Sequence, residues 1–135
     1  NIIVLGYDDT EPAKRALERA AQLAGAFGAR IVVTSVVPVT TPATARSIGA
    51  DPNGDATHEA QLAAAKGLLA GKGIEADYVE AVGHPADSIV DVATARGADL
   101  IVVGTREPGF VQRLLGSSVS DAVAHKSSCD VLIVH

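Results

Sequence analysis

The sequence predicts an α/β fold: an open parallel sheet with helices on both faces. Three observations carry that expectation. Five short aliphatic runs recur along the chain, NIIVLGY, RIVVTSVV, IEADYVEAV, DLIVV and DVLIV. Stretches with apolar residues at helical spacing separate them. The runs end close to glycines and acidic residues, where such a sheet carries its ligand loops. A strand–helix alternation brings successive strands side by side and parallel.

Each element has its own justification. Asn1–Tyr7 is an unbroken aliphatic run closed by a glycine, as a strand buried on both faces requires. In the helix that follows, Ala13, Ala16, Leu17, Ala20, Leu23, Ala24 and Phe27 share one face. Asp9 or Thr10 can cap it, Glu11 suits the positive end of its dipole, Pro12 suits its first turn and Gly28 can stop it. Arg30–Val37 is the second strand. Pro38–Asp55, rich in Pro, Thr, Gly and Asp, is a long connection of the kind that is usually functional. Ala56–Lys72 is the second helix. Ile74–Val82 alternates in polarity and reads as an edge strand. Pro85–Arg96 is the third helix and Asp99–Val103 the fourth strand. A fourth helix runs from Gly116 or Ser117 to about Lys126, and Asp130–Val134 is the fifth strand. The whole is expected to be one domain over residues 1–135.

Composition narrows the function. Hydrophobic residues make up 47% and charged residues 20%, which suits a packed core and not a disordered chain. The formal charge of −5 argues against nucleic acid and against an anionic membrane surface. No apolar run approaches the roughly 20 residues that span a bilayer. One cysteine excludes an internal disulfide and suits a reduced, cytoplasmic setting.

The chain lacks the Walker, dinucleotide-fingerprint, nucleophile-elbow and zinc-protease motifs. His58, His84, His125 and His135 show no metal-ligand spacing, and Cys129 reads as a small hydrophobe. No catalytic or metal-binding residue is assigned. Asp8 and Asp9 end the first strand, and Thr105 follows the fourth. A phosphate receiver would also need an aspartate ending the third strand and a lysine ending the fifth. Here those ends are Val82-Gly83 and Val134-His135, so that reading is rejected. Asp8 and Asp9 are read either as helix capping or, for Asp8, as a partner of a ribose hydroxyl at the switch point. In VVGTREPGFVQRLLGSSVSD, Gly104 allows close backbone approach at the end of its strand. Ser117 and Ser118 open a helix whose free N–H groups favour an anion. Arg106 and Arg113 add positive charge. By spacing alone, an anion site and a simple helix cap both remain open.

Nearly the whole chain resembles the universal stress proteins of the UspA type. The likeness rests on IIVLGYDDTEPAKRALERAAQLA, on VGHPADSIVDVATARGADLIVVG and on RLLGSSVSDAVAHKSSCDVLIVH. It implies a flavodoxin-like, Rossmann-like three-layer sandwich with strand order 3-2-1-4-5. It also implies a homodimer paired through strand 130–134, which would cover an aliphatic sheet edge.

The same resemblance implies an adenine-nucleotide site. Asp8 takes the ribose position and Val36 the adenine position, while Gly104, Ser118 and Val119 take the phosphate side. Gly6, Val103, Arg106 and Ser117 complete the expected site. ATP-binding members carry Gly-x2-Gly-x9-Gly followed by Ser or Thr in this loop. Here Glu107 and Ser117 replace the second and third glycines. A glutamate at a positive φ costs roughly 1–2 kcal/mol. Its repulsion of phosphate adds about 1 kcal/mol at 4 Å in water. The implied ligand is ATP or an AMP-like or cyclic nucleotide, with or without Mg²⁺, and fewer phosphates suit the loop better. The alternative is a family member that binds no nucleotide and acts through protein contacts.

Overall fold

The computed structural model describes residues 1–37, 54–105 and 119–135, with only the backbone of 54–58. Five strands form one parallel sheet: β1 (Ile2–Gly6), β2 (Arg30–Val37), β3 (Ala76–Val82), β4 (Leu100–Gly104) and β5 (Asp130–Val134). Their order is β3-β2-β1-β4-β5, as the resemblance implied. Every pairing is parallel, with Val4 opposite both Val32 and Ile101. Among the described residues four helices connect them: α1 (Glu11–Phe27), α2 (Gly54–Gly71), α3 (Pro85–Arg96) and α4 (Val119–Lys126).

Side chains alternate across the sheet and divide the core into two layers. Ile3, Leu5, Ile31, Val33 and Val102 pack against α1 and against Ala65 and Leu69 of α2. Val4, Val32, Ile101 and Val103 pack against Ala86, Ile89 and Ala93 of α3 and Val123 of α4. The three central strands β1, β2 and β4 are therefore buried on both faces, which is why they read as unbroken aliphatic runs. The β3 strand lies at one edge with a mixed burial pattern, in keeping with its alternating sequence.

The helix signals acted locally as expected. Thr10 is the N-cap of α1, its hydroxyl accepting from the Ala13 N–H at 3.3 Å. Gly28 adopts φ +64 and closes the helix by donating to the Ala24 carbonyl. Gly97 ends α3 in the same conformation. Several expectations need correction. Phe27 is 67% exposed, and Ala21 is buried while Leu23 is only partly so. The buried stripe of α1 ends at Ala24, one turn before the chain reverses. Ile74 packs on the core but lies outside β3, because its N–H is taken by the Leu69 carbonyl at the end of α2. β1 stops at Gly6, α2 begins at Gly54 rather than Ala56, and β4 begins at Leu100 and includes Gly104. Cys129 is partly buried and packs on the α3–α4 layer, with its sulfur 3.3 Å from the Ser127 hydroxyl. The expected Pro38–Asp55 connection lies outside the described residues up to Asn53, as does the expected start of α4 before Val119.

Candidate functional site

The order of the sheet reverses between β1 and β4, whose pairing ends at Leu5 and Val102. A small cleft of about 100 Å³, open to solvent, occupies that point. Its floor is the end of the sheet, with Gly6 of β1, Thr34 and Val36 of β2, and Val103 and Gly104 of β4. Thr10 and Ala13 of α1, Pro85 and Ile89 of α3, Thr105 and Val119 form its walls.

Two glycines set the shape of that floor. A Cβ on Gly6 would stand 2.8 Å from Ile89 Cδ1 and 3.2 Å from Val103 Cγ1. Ile89 therefore leans over bare backbone. A Cβ on Gly104 would stand 2.5 Å from both the carbonyl carbon and the carbonyl oxygen of Pro12. The sequence assigned Gly104 to close approach of a ligand. The structure supplies a different requirement, because the first turn of α1 is what approaches it. That contact fixes where α1 begins relative to β4, and so where Asp8 and Thr10 stand.

The turn from β1 into α1 is held by its own polar groups. Asp8 Oδ1 accepts from the Thr10 hydroxyl at 2.6 Å and from the Thr10 N–H at 3.2 Å. Asp9 has φ +60, a left-handed conformation that aspartate tolerates better than most residues. The Tyr7 hydroxyl donates to Asp9 Oδ1 at 2.8 Å. Burial, followed by that hydrogen bond and the charges of Asp9, Asp8 and Glu11, holds the Tyr7 phenol well above its usual range. A second brace comes from α2. Gln61 donates to the Asp8 carbonyl at 3.2 Å and accepts from the Ser35 hydroxyl at 3.2 Å. The Asp8 carboxylate thus sits at the cleft edge on a backbone tied to both neighbouring elements.

Six of the expected site residues meet here: Gly6, Asp8, Val36, Val103, Gly104 and Val119. Arg106, Ser117 and Ser118 lie outside the described residues, as do Glu107 and Arg113. Sequence reasoning missed Thr34, Pro85 and Ile89. Pro85 and Ile89 read only as helix residues. Thr34 carried a usable signal, a hydroxyl amid the aliphatic run IVVTSVV. Thr105, considered for a receiver, is turned elsewhere: its N–H and hydroxyl both donate to the Val134 carbonyl, at 2.9 and 3.4 Å. Among the described residues no group of histidine, cysteine, aspartate or glutamate side chains could hold a metal ion. None of the described helices is long and apolar enough to cross a membrane.

A parallel sheet of this order, with helices on both faces, defines an α/β fold of the flavodoxin-like, Rossmann-like class. Comparison with known proteins narrows the class to one family. The model of the universal stress protein family matches residues 1–135, and the chain belongs to that family. A universal stress protein of Mycobacterium tuberculosis is 32% identical, over 98% of this chain and 94% of its own. Among solved structures, a universal stress protein in complex with cAMP is 30% identical with a TM-score of 0.77, covering 100% of this chain and 97% of its own. The universal stress protein from Archaeoglobus fulgidus in complex with dAMP is 25% identical with a TM-score of 0.74, covering 99% and 96%.

Proposed function

We propose that this protein is an adenine-nucleotide-binding module of the stress response, dimeric and cytoplasmic, that works by binding and not by catalysis. The observation that carries this reading is the cleft itself. It joins an apolar slot, formed by Val36, Val103, Ile89 and Val119, to a braced carboxylate at its edge. The slot suits a flat base. Asp8 Oδ1 is engaged by Thr10, which leaves Oδ2 to accept from a ribose hydroxyl. Relatives in complex with cAMP and with dAMP support a nucleotide carrying a single phosphate. Glu107, three residues beyond β4 in the sequence, favours the same ligands over ATP, since like charges repel.

Dimerisation is proposed through β5. Leu132 and Val134 pack on one layer of the core and Val131 and Ile133 on the other, so the strand is apolar on both faces. It also forms an edge of the sheet. Such an edge invites a second strand, and a two-fold copy would supply it.

The test is isothermal titration of cyclic AMP, AMP and ATP, with and without Mg²⁺, into the purified protein. Micromolar binding of a monophosphate, ATP at least tenfold weaker, and loss of heat in Asp8→Ala are expected. No heat from any of the three would overturn the nucleotide reading and favour a module that acts through protein contacts alone. ATP binding as tightly as AMP would overturn the preference for fewer charges.

A further inference from the structure

We propose that Thr34 reads the base of the bound nucleotide, its hydroxyl meeting a polar atom on the edge of the ring. The inference deepens the nucleotide reading above and rests on it. Thr34 is 1% exposed and lines the floor of the cleft. Among the described residues its Oγ1 is the buried side-chain oxygen or nitrogen that has no hydrogen-bond partner. Buried hydroxyls in folded proteins are otherwise nearly always paired.

The neighbours explain why none is available. Thr34 stands in register with Gly6 on β1 and with Val79 on β3. It shares a sheet face with Val32 and Val36, the face that packs against α3 and α4. Ile89 leans over Gly6 beside it. Its register partners Gly6 and Val79 and its face neighbours Val32 and Val36 carry no polar side-chain atom. Valine has nearly the same shape and equal liking for a strand, and it would fill the position with no polar atom to satisfy. A hydroxyl held there without a protein partner points to a partner brought from outside.

A heteroaromatic base fits that demand. Its faces are apolar enough to lie against Val36, Ile89 and Val103, while its edge carries ring nitrogens and an exocyclic amine. Threonine can donate to a ring nitrogen or accept from an amine. The hydroxyl hydrogen turns about the Cβ–Oγ1 bond, so Oγ1 can donate or accept where it stands, without a shift of β2.

The experiment compares the wild type with Thr34→Val and Thr34→Ser. Cyclic AMP and AMP are titrated into each, together with 1-deaza, 3-deaza and 7-deaza AMP and purine riboside monophosphate, which lacks the amine. Melting of each protein without nucleotide is recorded alongside. Thr34→Val should melt about 3 °C higher, because a buried unpaired hydroxyl is gone. It should also bind AMP about tenfold more weakly, while Thr34→Ser stays within about threefold of wild type. One of the four analogues should lose affinity for the wild type and lose none for Thr34→Val, identifying the atom that is read. Equal affinity of wild type and Thr34→Val overturns the inference and leaves the nucleotide reading standing. So does a loss in Thr34→Val that no analogue reproduces, because the contact is then not with the base edge. A wild type that binds no nucleotide overturns both. If Thr34→Val folds poorly, Thr34→Ala, which also lacks the hydroxyl, takes its place in the same analogue series.

Discussion

Gly104→Ala is the substitution that most directly tests how the site is positioned. The added methyl would lie 2.5 Å from the backbone carbon and oxygen of Pro12 and 2.9 Å from its Cβ. Ordinary contacts begin roughly 1 Å further out. A clash with backbone cannot be relieved by a rotamer change, so α1 must move away from β4 as a unit. Overpacking of this kind costs about 1–3 kcal/mol when side chains can adapt, and the upper end applies here. For 135 residues the unfolding entropy is about 0.28 kcal/mol/K, so a loss of about 3 kcal/mol lowers Tm by about 10 °C. Gly6→Ala is the internal control. Its methyl meets the flexible ends of Ile89, at 2.8 Å, and Val103, at 3.2 Å. It should cost about 1 kcal/mol, or 3–4 °C. Ile89→Val deletes the offending Cδ1, so the double variant Gly6→Ala/Ile89→Val should be more stable than the sum of its parts implies. Thermal and urea melts of the wild type, the three single variants and the double variant provide the assay. The reasoning is refuted if Gly104→Ala melts within 1–2 °C of wild type, or if Gly6→Ala costs more than Gly104→Ala.

Two further outcomes are expected. The folded state holds the Tyr7 phenol protonated well above its usual range, chiefly through burial and then through Asp9. A folded pKa above the unfolded one stabilises below about pH 10, and that contribution is lost as pH rises beyond it. The urea midpoint should fall as pH rises past about 10, and less so in Tyr7→Phe, with a residual fall from Tyr78, whose phenol burial also raises. Parallel curves for the two proteins would contradict the assignment. Leu132→Lys places a charge on β5, where Leu132 packs on the core. Sedimentation should then find monomer with a lowered Tm, and a fully dimeric, equally stable variant would argue against pairing through that strand.

Much of the fold is written in local pattern. The unbroken runs IIVL, RIVV and LIVV mark strands covered on both faces, because only helices above and below allow such runs. Thr10, Gly28, Pro85 and Gly97 mark helix ends through backbone chemistry that needs no partner from elsewhere. Asp8 and Gly104 stand at the cleft because strand ends at a switch point are the natural mouth of such a sheet, while Val36 followed from the family likeness. Family likeness supplied the strand order, which periodicity does not encode.

What the chain alone determined is thus the set of elements, their ends and the mouth of the cleft, since each depends on residues close in sequence. The tertiary structure decided what depends on contact across distance. Gly104 is glycine because Pro12 of α1 lies against it, and Gly6 because Ile89 of α3 does, and neither neighbour is near in sequence. Phe27 left the core because α1 presents its stripe to the sheet only as far as Ala24. Thr34 became a candidate reader of the base only when the sheet set it between Gly6 and Val79 and left its buried hydroxyl unmatched. Hydrogen bonding of a buried group is settled by whichever elements close around it, and no stretch of sequence holds that information by itself.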